Sequence, residues 1–242
     1  MTHTQLNIDN LTSLWRTASS VYKGHQKEDS FEIAYIENTQ WPSRVWTDSI
    51  TSSQQIEELQ QKLDAYGNLT FSYFTPFNQE NTDKNELPLN LKSVQYGMSL
   101  LLKEKFTTQK NITFKRVENE EEANTWSHSF DKAFGYKISP KTIFDTREHI
   151  PFYLVYFEQE LIGTIILYAT DSVAGLHSLG ILPEKRKQGF ATEIMCHTLN
   201  KAIDNNLSLA TLQASEMAKE MYLKLGFSLD FLMKNYGIAN PS

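Results

Sequence analysis

The chain has 242 residues, long for one compact domain and enough for two at roughly 100–200 residues each. It is 40% apolar, 12% aromatic and 21% charged, and 23 Lys and Arg against 29 Asp and Glu leave a net charge of −6. That composition can build water-soluble cores, but it lacks the basic surface that coating a nucleic acid requires. The longest apolar-leaning stretch, Leu161 to Ala169, is far short of the ~20 residues of a membrane span. Met1 to Asn10 is polar, with neither the cationic start nor the apolar core of a secretory signal. The single cysteine, Cys196, can form no internal disulfide, and no Cys/His cluster has zinc-ligand spacing, so no metal is expected. The chain reads as soluble, reduced and cytoplasmic, with no nucleic-acid or membrane partner.

In chain order, Leu11, Leu14, Trp15, Ala18 and Val21 fall on one helical face. Phe31 to Ile36 and Arg44 to Thr47 are short strands flanking Gln40-Trp41-Pro42. Ile56, Leu59, Leu63 and Tyr66 mark a second helix, which Gly67 stops. Leu69 to Phe74 is strand-like, and the polar, proline-bearing run 75–90 reads as a loop or linker. Val94, Tyr96, Met98, Leu100 and Leu102 alternate with mostly polar neighbours, the period of a strand. Trp41, Trp46, Phe71, Tyr73 and Phe74 are expected in the core of this half.

After a polar joint at Thr107 to Asn111, Ile112 to Val117 is a strand, and Ala123, Trp126, Phe130, Ala133 and Phe134 mark a helix. Glu118 to Glu122 at its start complements the helix dipole. Ser139 and Pro140 look like a cap and a first helical residue, opening a helix toward His149. Phe152 to Phe157 and Leu161 to Ala169 flank a turn, Glu158 to Glu160, whose carboxylates are expected in solvent. Gly175 to Leu182 is a strand, Thr192 to Ile203 a helix, Leu207 to Leu212 a strand and Ser215 to Leu225 a helix ended by Gly226. Phe227 to Met233 is a last strand. The order from residue 112 is β-α-α-β-β-β-α-β-α-β, and the division expected is an N-terminal α+β domain at 1–106 and a second domain at 107–242.

Chemistry concentrates between strand and helix at Arg186-Lys187-Gln188-Gly189-Phe190-Ala191, which has the form R-x-x-G-x-A. A turn built with Gly189 and small Ala191 lets backbone amides approach a ligand, and the helix start behind it favours an anion. Lys185, Arg186 and Lys187 add positive potential, so the physics points to phosphate or pyrophosphate. The glycine count and lysine position fit neither a Walker A loop nor a dinucleotide turn. Further on, Ala218, Tyr222, Lys224, Leu225, Gly226 and Phe227 spell A-x-x-x-Y-x-K-L-G-F.

This pair of motifs, in this element order, resembles the GCN5-related N-acetyltransferase (GNAT) superfamily over roughly residues 112–233. The resemblance implies an α+β fold with a mixed sheet, an acyl-CoA N-acyltransferase fold carrying an additional N-terminal domain. Residues 1–106 carry neither motif and look like a degenerate, cofactor-free GNAT-like half. Acetyl-CoA would lie where strand 175–182 splays from strand 207–212. Leu179, Gly180, Ile181 and Leu182 would border its pantetheine arm, pairing as a peptide strand does. Amides from about Lys187 to Thr192, with Arg186, would hold the pyrophosphate. Many members place an asparagine seven positions before the tyrosine, where this chain has Ser215.

In that picture a primary amine attacks the thioester directly, and Tyr222, a phenol with a pKa near 10, donates a proton to the departing thiolate. The plainer alternative is a tyrosine packed in a helix–sheet core. An alkyl ammonium has a pKa near 10.4, so a base is also needed. His177 lies on the cofactor strand, on the same side as Leu179 and Ile181 by period 2, and would serve directly or through a water. A histidine satisfied by polar neighbours is the competing account. Cys196 is expected to be a buried small hydrophobe.

The function expected is acetyl transfer to an amine on a small molecule or peptide. The alternative is a non-catalytic acyl-CoA-binding or sensing module of the same fold, and an acyl group larger than acetyl stays open. The N-terminal half is expected to shape the acceptor site, to pack, or to form a homodimer contact.

Overall fold

In the computed structural model, residues 1–77 and 87–238 are described. Thr2 accepts the amide of Gln5 and starts α1 (His3–Ser20), whose Leu11, Leu14, Trp15 and Ala18 are buried as their spacing predicts. Val21 falls outside the helix and is exposed, whereas Asn7 and Asn10 are buried on the inward stripe. Three short strands follow: β1 (His25–Lys27), β2 (Glu32–Tyr35) and β3 (Ser43–Trp46). Helix α2 (Ser53–Tyr66) ends at Gly67, which takes φ 67. Strand β4 (Thr70–Pro76) and the long β5 (Asn90–Leu101) complete the first half. Thr75, Pro76 and Asn90 of the expected linker thus belong to strands, and residues 78–86 lie outside the described residues.

The second half carries β6 (Ile112–Arg116), α3 (Glu120–Phe134), α4 (Pro140–Thr146), β7 (Phe152–Phe157), β8 (Glu160–Thr170) and β9 (Val173–Ile181). Then come α5 (Phe190–Asp204), β10 (Leu209–Ala214), α6 (Glu216–Lys224) and β11 (Ser228–Gly237). The element order matches the expected one, with α4 ending at Thr146 rather than at His149. Glu158 and Gln159 turn the β7–β8 hairpin with φ 49 and 67.

The eleven strands among the described residues form one sheet, in the order β1-β2-β3-β4-β11-β5-β10-β9-β8-β7-β6. Strand β11 lies between β4 and β5, pairing antiparallel with both, and β5 in turn pairs with β10. Hydrogen bonding therefore runs through position 106 without a break. On one face α1, α3 and α4 cover a cluster holding Trp15, Trp46, Trp126, Phe130, Phe152 and Phe231. Helices α5 and α6 cover a second cluster, which holds Met98, Ile165, Leu199, Leu212 and Tyr222. A third cluster joins Leu59 and Leu63 of α2 to Val45 and Phe71. Along β3, Val45 thus turns to α2 and Trp46 to α1, the alternation of a strand buried on both faces.

Candidate active site

Strands β9 and β10 run parallel but pair only from Val173–Leu209 to Gly175–Thr211. Beyond that point β10 continues along β5 as far as Ala214, while β9 continues along β8 as far as Ile181. The two diverge into a wedge, and among the described residues no strand pairs with β9 on its β10 side from Leu176 onward. An unpaired edge of this kind presents amides and carbonyls that an extended ligand can bond.

A bulge lies inside the wedge. Register with β8 shifts between Thr164 and Ile166, and Ser178 takes φ 55. The extra residue turns Leu179 and Ile181 toward the α5 side. His177, by contrast, points at α1, with its Nε2 3.0 Å from Oδ1 of Asn10. The expectation that His177 shares a side with Leu179 and Ile181 is therefore corrected, because period 2 holds only in a strand without a bulge. Gly180 faces α3, where an added Cβ would come within 2.7 Å of the Phe134 ring and 2.8 Å of Ala133 Cβ.

The wedge opens toward the phosphate-type turn. Leu182 is followed by a single 3-10 turn, Pro183–Lys185, and then by Lys187 at φ 60 and Gly189 at φ 80. Gly189 is the N-cap of α5 and no side chain caps the helix. The amide of Glu193 bonds the carbonyl of Gly189 at 3.2 Å, so the amides of Phe190, Ala191 and Thr192 precede the first intrahelical bond. Nothing stands within 4 Å of the place where a Gly189 Cβ would be. Open space before unsatisfied amides suits an anion.

The cations of the turn have separate tasks. Lys185 pairs with Glu160. Arg186 donates to the carbonyls of Ala133 at 2.8 Å and Ile181 at 3.3 Å, tying the turn to the end of α3. Gln188 donates to the Glu184 carbonyl. Lys187 is exposed and makes no ion pair among the described residues.

Across the wedge, Ser215 follows β10 as the N-cap of α6, exposed and making no capping bond with its side chain. Tyr222 is 8% exposed, its ring 5.7 Å from that of Phe227. Its hydroxyl has no hydrogen-bond partner among the described residues, yet it is not one of the fully enclosed, unpaired polar atoms. Burial raises its pKa above the ordinary 10, so the phenol stays protonated and able to donate.

His177 is buried, and burial pushes its pKa down to about 4 against a smaller opposing effect of the Gln213 side chain. The Asn10 amide nitrogen donates to the Tyr168 carbonyl and to Thr170 Oγ1, so its oxygen accepts from His177 Nε2. The ring is neutral and keeps the Nδ1 lone pair. Asn7 completes the plug, donating to the Met98 carbonyl at 2.9 Å and accepting from Gln213 Nε2 at 2.6 Å. Both asparagines escaped the sequence reading. The available signal was their spacing, which sets two polar residues on the apolar stripe of α1.

Cys196 is buried, with its thiol pKa raised by burial, and fits the role of a small hydrophobe. Among the described residues, no group of three acidic, histidine or cysteine side chains could hold a metal, and no helix is long and apolar enough to cross a membrane.

Residues 113–227 match the model of the acetyltransferase (GNAT) family. Among solved structures, the chain is similar to a GCN5-related N-acetyltransferase from Kribbella flavida, at 16% identity and a TM-score of 0.66 over 94% of this chain and 96% of that one. It is also similar to a GCN5-related N-acetyltransferase from Sphaerobacter thermophilus, at 11% identity and a TM-score of 0.60 over 87% and 79% of the two chains. A functionally unknown conserved protein from Staphylococcus epidermidis aligns at 14% identity and a TM-score of 0.61, over 89% and 93%. At these identities the likeness is one of fold, and it spans both halves of the chain. No curated protein matches it.

Proposed function

We propose that this chain, residues 113–227 of which match the GNAT family model, is an N-acetyltransferase that uses acetyl-CoA to acetylate a primary amine by direct attack. The observation that carries the proposal is the wedge, in which β9 leaves β10 after Gly175 and Thr211. It ends on a helix start with open space before Gly189. When bound, acetyl-CoA supplies a thioester whose carbonyl carbon an amine can attack.

The residues fit such a ligand in three places. The free edge of β9 around Leu179 and Ile181 can pair with the pantetheine amides, as an added strand would. The amides of Phe190, Ala191 and Thr192, with Lys187 beside them, can bind the pyrophosphate. Tyr222 holds a proton on a hydroxyl that no group among the described residues occupies. As the amine nitrogen bonds to the acetyl carbon, the carbon–sulfur bond breaks, and Tyr222 gives its proton to the sulfur. An ammonium acceptor gives up one proton to solvent before it attacks, and the second proton, released from nitrogen as the amide forms, restores the Tyr222 phenol directly or through solvent.

Two measurements test this. A ligand present at 100 times its dissociation constant stabilises a fold by roughly 2.7 kcal/mol, so CoA is expected to raise the melting temperature. Thiol release from acetyl-CoA with a panel of amines then separates an enzyme from a binding module. Stabilisation without turnover favours the module, and the absence of both refutes the proposal.

A further inference from the structure

Helix α1 holds both arms of the wedge, and it does so with the two asparagines on its buried stripe. The last pair shared by β9 and β10 is Gly175 with Thr211. Two residues further along each strand, the next side chains facing α1 are His177 on β9 and Gln213 on β10. Asn10 Oδ1 lies 3.0 Å from His177 Nε2, and Asn7 Oδ1 accepts Gln213 Nε2 at 2.6 Å. Each asparagine thus takes hold of one arm just past the point where the strands separate.

The nitrogen of each amide anchors the same arm from behind. Asn10 donates to the Tyr168 carbonyl at 3.0 Å and to Thr170 Oγ1 at 2.8 Å, both on β8, the other neighbour of β9. Asn7 donates to the Met98 carbonyl of β5 at 2.9 Å and to the Leu212 carbonyl of β10 at 3.5 Å. Both side chains are fully buried, and each amide nitrogen has two acceptors. Gly175 leaves the room for this, since a Cβ there would fall 1.8 Å from Asn10 Oδ1.

Leucines at these two positions would pack α1 on the sheet without fixing it, because apolar contact has no direction. A fully satisfied buried polar network specifies one geometry. The geometry specified here is the spacing of two arms that carry different parts of the site. The free edge around Leu179 and Ile181 and the Gly189 turn belong to the β9 arm, whereas α6, with Tyr222, follows β10. Helix α1 itself lies outside residues 113–227, the part that matches the family model.

We propose that Asn7 and Asn10 are positioning residues of the donor site: bonding one arm each from a single helix, they fix the width of the wedge that CoA enters. The identity of the ligand rests on the acetyltransferase reading. A wedge released at either end must regain its spacing when CoA binds, and apparent affinity falls with the population of the competent form.

The experiment is calorimetric titration of CoA into the full chain, at a temperature where every protein compared is folded. Wild type is set against Asn7→Ala, Asn10→Ala, the double variant and Thr12→Val. Thr12 is the control, buried in the same helix with a hydroxyl that donates to the Ile8 carbonyl of that helix at 2.9 Å. Each asparagine variant is expected to raise the CoA dissociation constant by about 5- to 150-fold, the span of coupling between distinct sites. The double variant is expected to match the larger single effect, since one released end already frees the spacing. Thr12→Val is expected to leave CoA affinity unchanged. Wild-type affinity in the asparagine variants overturns the proposal, and so does a double variant whose loss is the product of the two single losses. An equal loss in Thr12→Val also overturns it, because general loosening of α1 would then suffice. If the asparagine variants do not fold, hydrogen exchange on the wild type decides. Saturating CoA is expected to slow the α1 amides around Asn7 and Asn10 by linkage, and unchanged exchange there is the overturning result. A wild type that binds no CoA refutes the acetyltransferase reading and this proposal together; CoA binding that ignores the asparagines refutes this proposal alone.

Discussion

Oδ1 of Asn10 lies 3.0 Å from Nε2 of His177, joining the first helix to the strand at the mouth of the wedge across 167 positions of sequence. The bond fixes the tautomer of the ring and holds α1 against the place where β9 and β10 part. It also makes His177 a pH-dependent element of the fold.

His177 is neutral in the folded state, with a pKa near 4, against about 6.5 when unfolded. The unfolded chain therefore takes up a proton first as pH falls. The contribution is whole above pH 6.5 and is lost progressively down to about pH 4, amounting to about 3 kcal/mol. Urea unfolding at pH 7 and pH 4.5 is expected to show the loss, and His177→Gln to flatten it within that window. His177 should accordingly contribute no limb near pH 6–7 to kcat/KM; such a limb vanishing in the variant would contradict the neutral, buried ring.

Tyr222→Phe removes one oxygen and keeps the ring contact with Phe227. CoA affinity is expected to stay within a few-fold, while kcat falls by about 10²–10⁴. Because the phenol pKa is raised, the wild-type rate should show no loss from tyrosine ionisation below pH 10. Steady-state kinetics with a separate CoA titration checks both points, and an unaltered kcat returns Tyr222 to a packing role.

At Gly189 the constraint is conformational, since its φ is 80 and the space ahead is empty. Gly189→Val places a β-branched residue in the left-handed region and is expected to distort the turn and weaken CoA binding. Gly189→Asn, which adopts that region more readily, should keep most of the affinity. Equal binding by both variants would show that the turn does not depend on this backbone shape.

Gly175 offers the complementary test. A Cβ there would fall 1.8 Å from Asn10 Oδ1 and 2.5 Å from His177 Nε2. Gly175→Ala is expected to push α1 from the strand and cost about 1–3 kcal/mol. The loss should shrink in the Asn10→Ala background, which a double-mutant cycle by denaturant unfolding measures directly.

The parts legible in the sequence were those set by local chemistry. The stripe of Leu11, Leu14, Trp15 and Ala18 marks one helix, Gly67 and Gly226 end two others, and the Gly189 turn sits between strand and helix as its residue types require. Three features were not legible. Placement of β11 between β4 and β5 depends on pairings between distant residues, on which neither period nor composition bears. The bulge at Ser178 leaves no mark in a serine, and it overturns the face assigned to His177 by alternation. Arg44 looks like any strand arginine until its Nε is seen buried without an acceptor in three dimensions.

The place of β11 also bears on how the molecule can be assembled. Strands β4 and β5 are synthesised long before the strand that separates them. Until β11 is made, β4 and β5 lack the strand that pairs with both of them in the folded sheet, and any backbone edge they present is unsatisfied. Adding β11 completes the sheet of the first half and supports β10 and the wedge through β5 in the same event. The wedge and the N-terminal half are therefore expected to acquire their final form together, and a chain arrested before Ser228 should expose unpaired strand edges of β4 and β5.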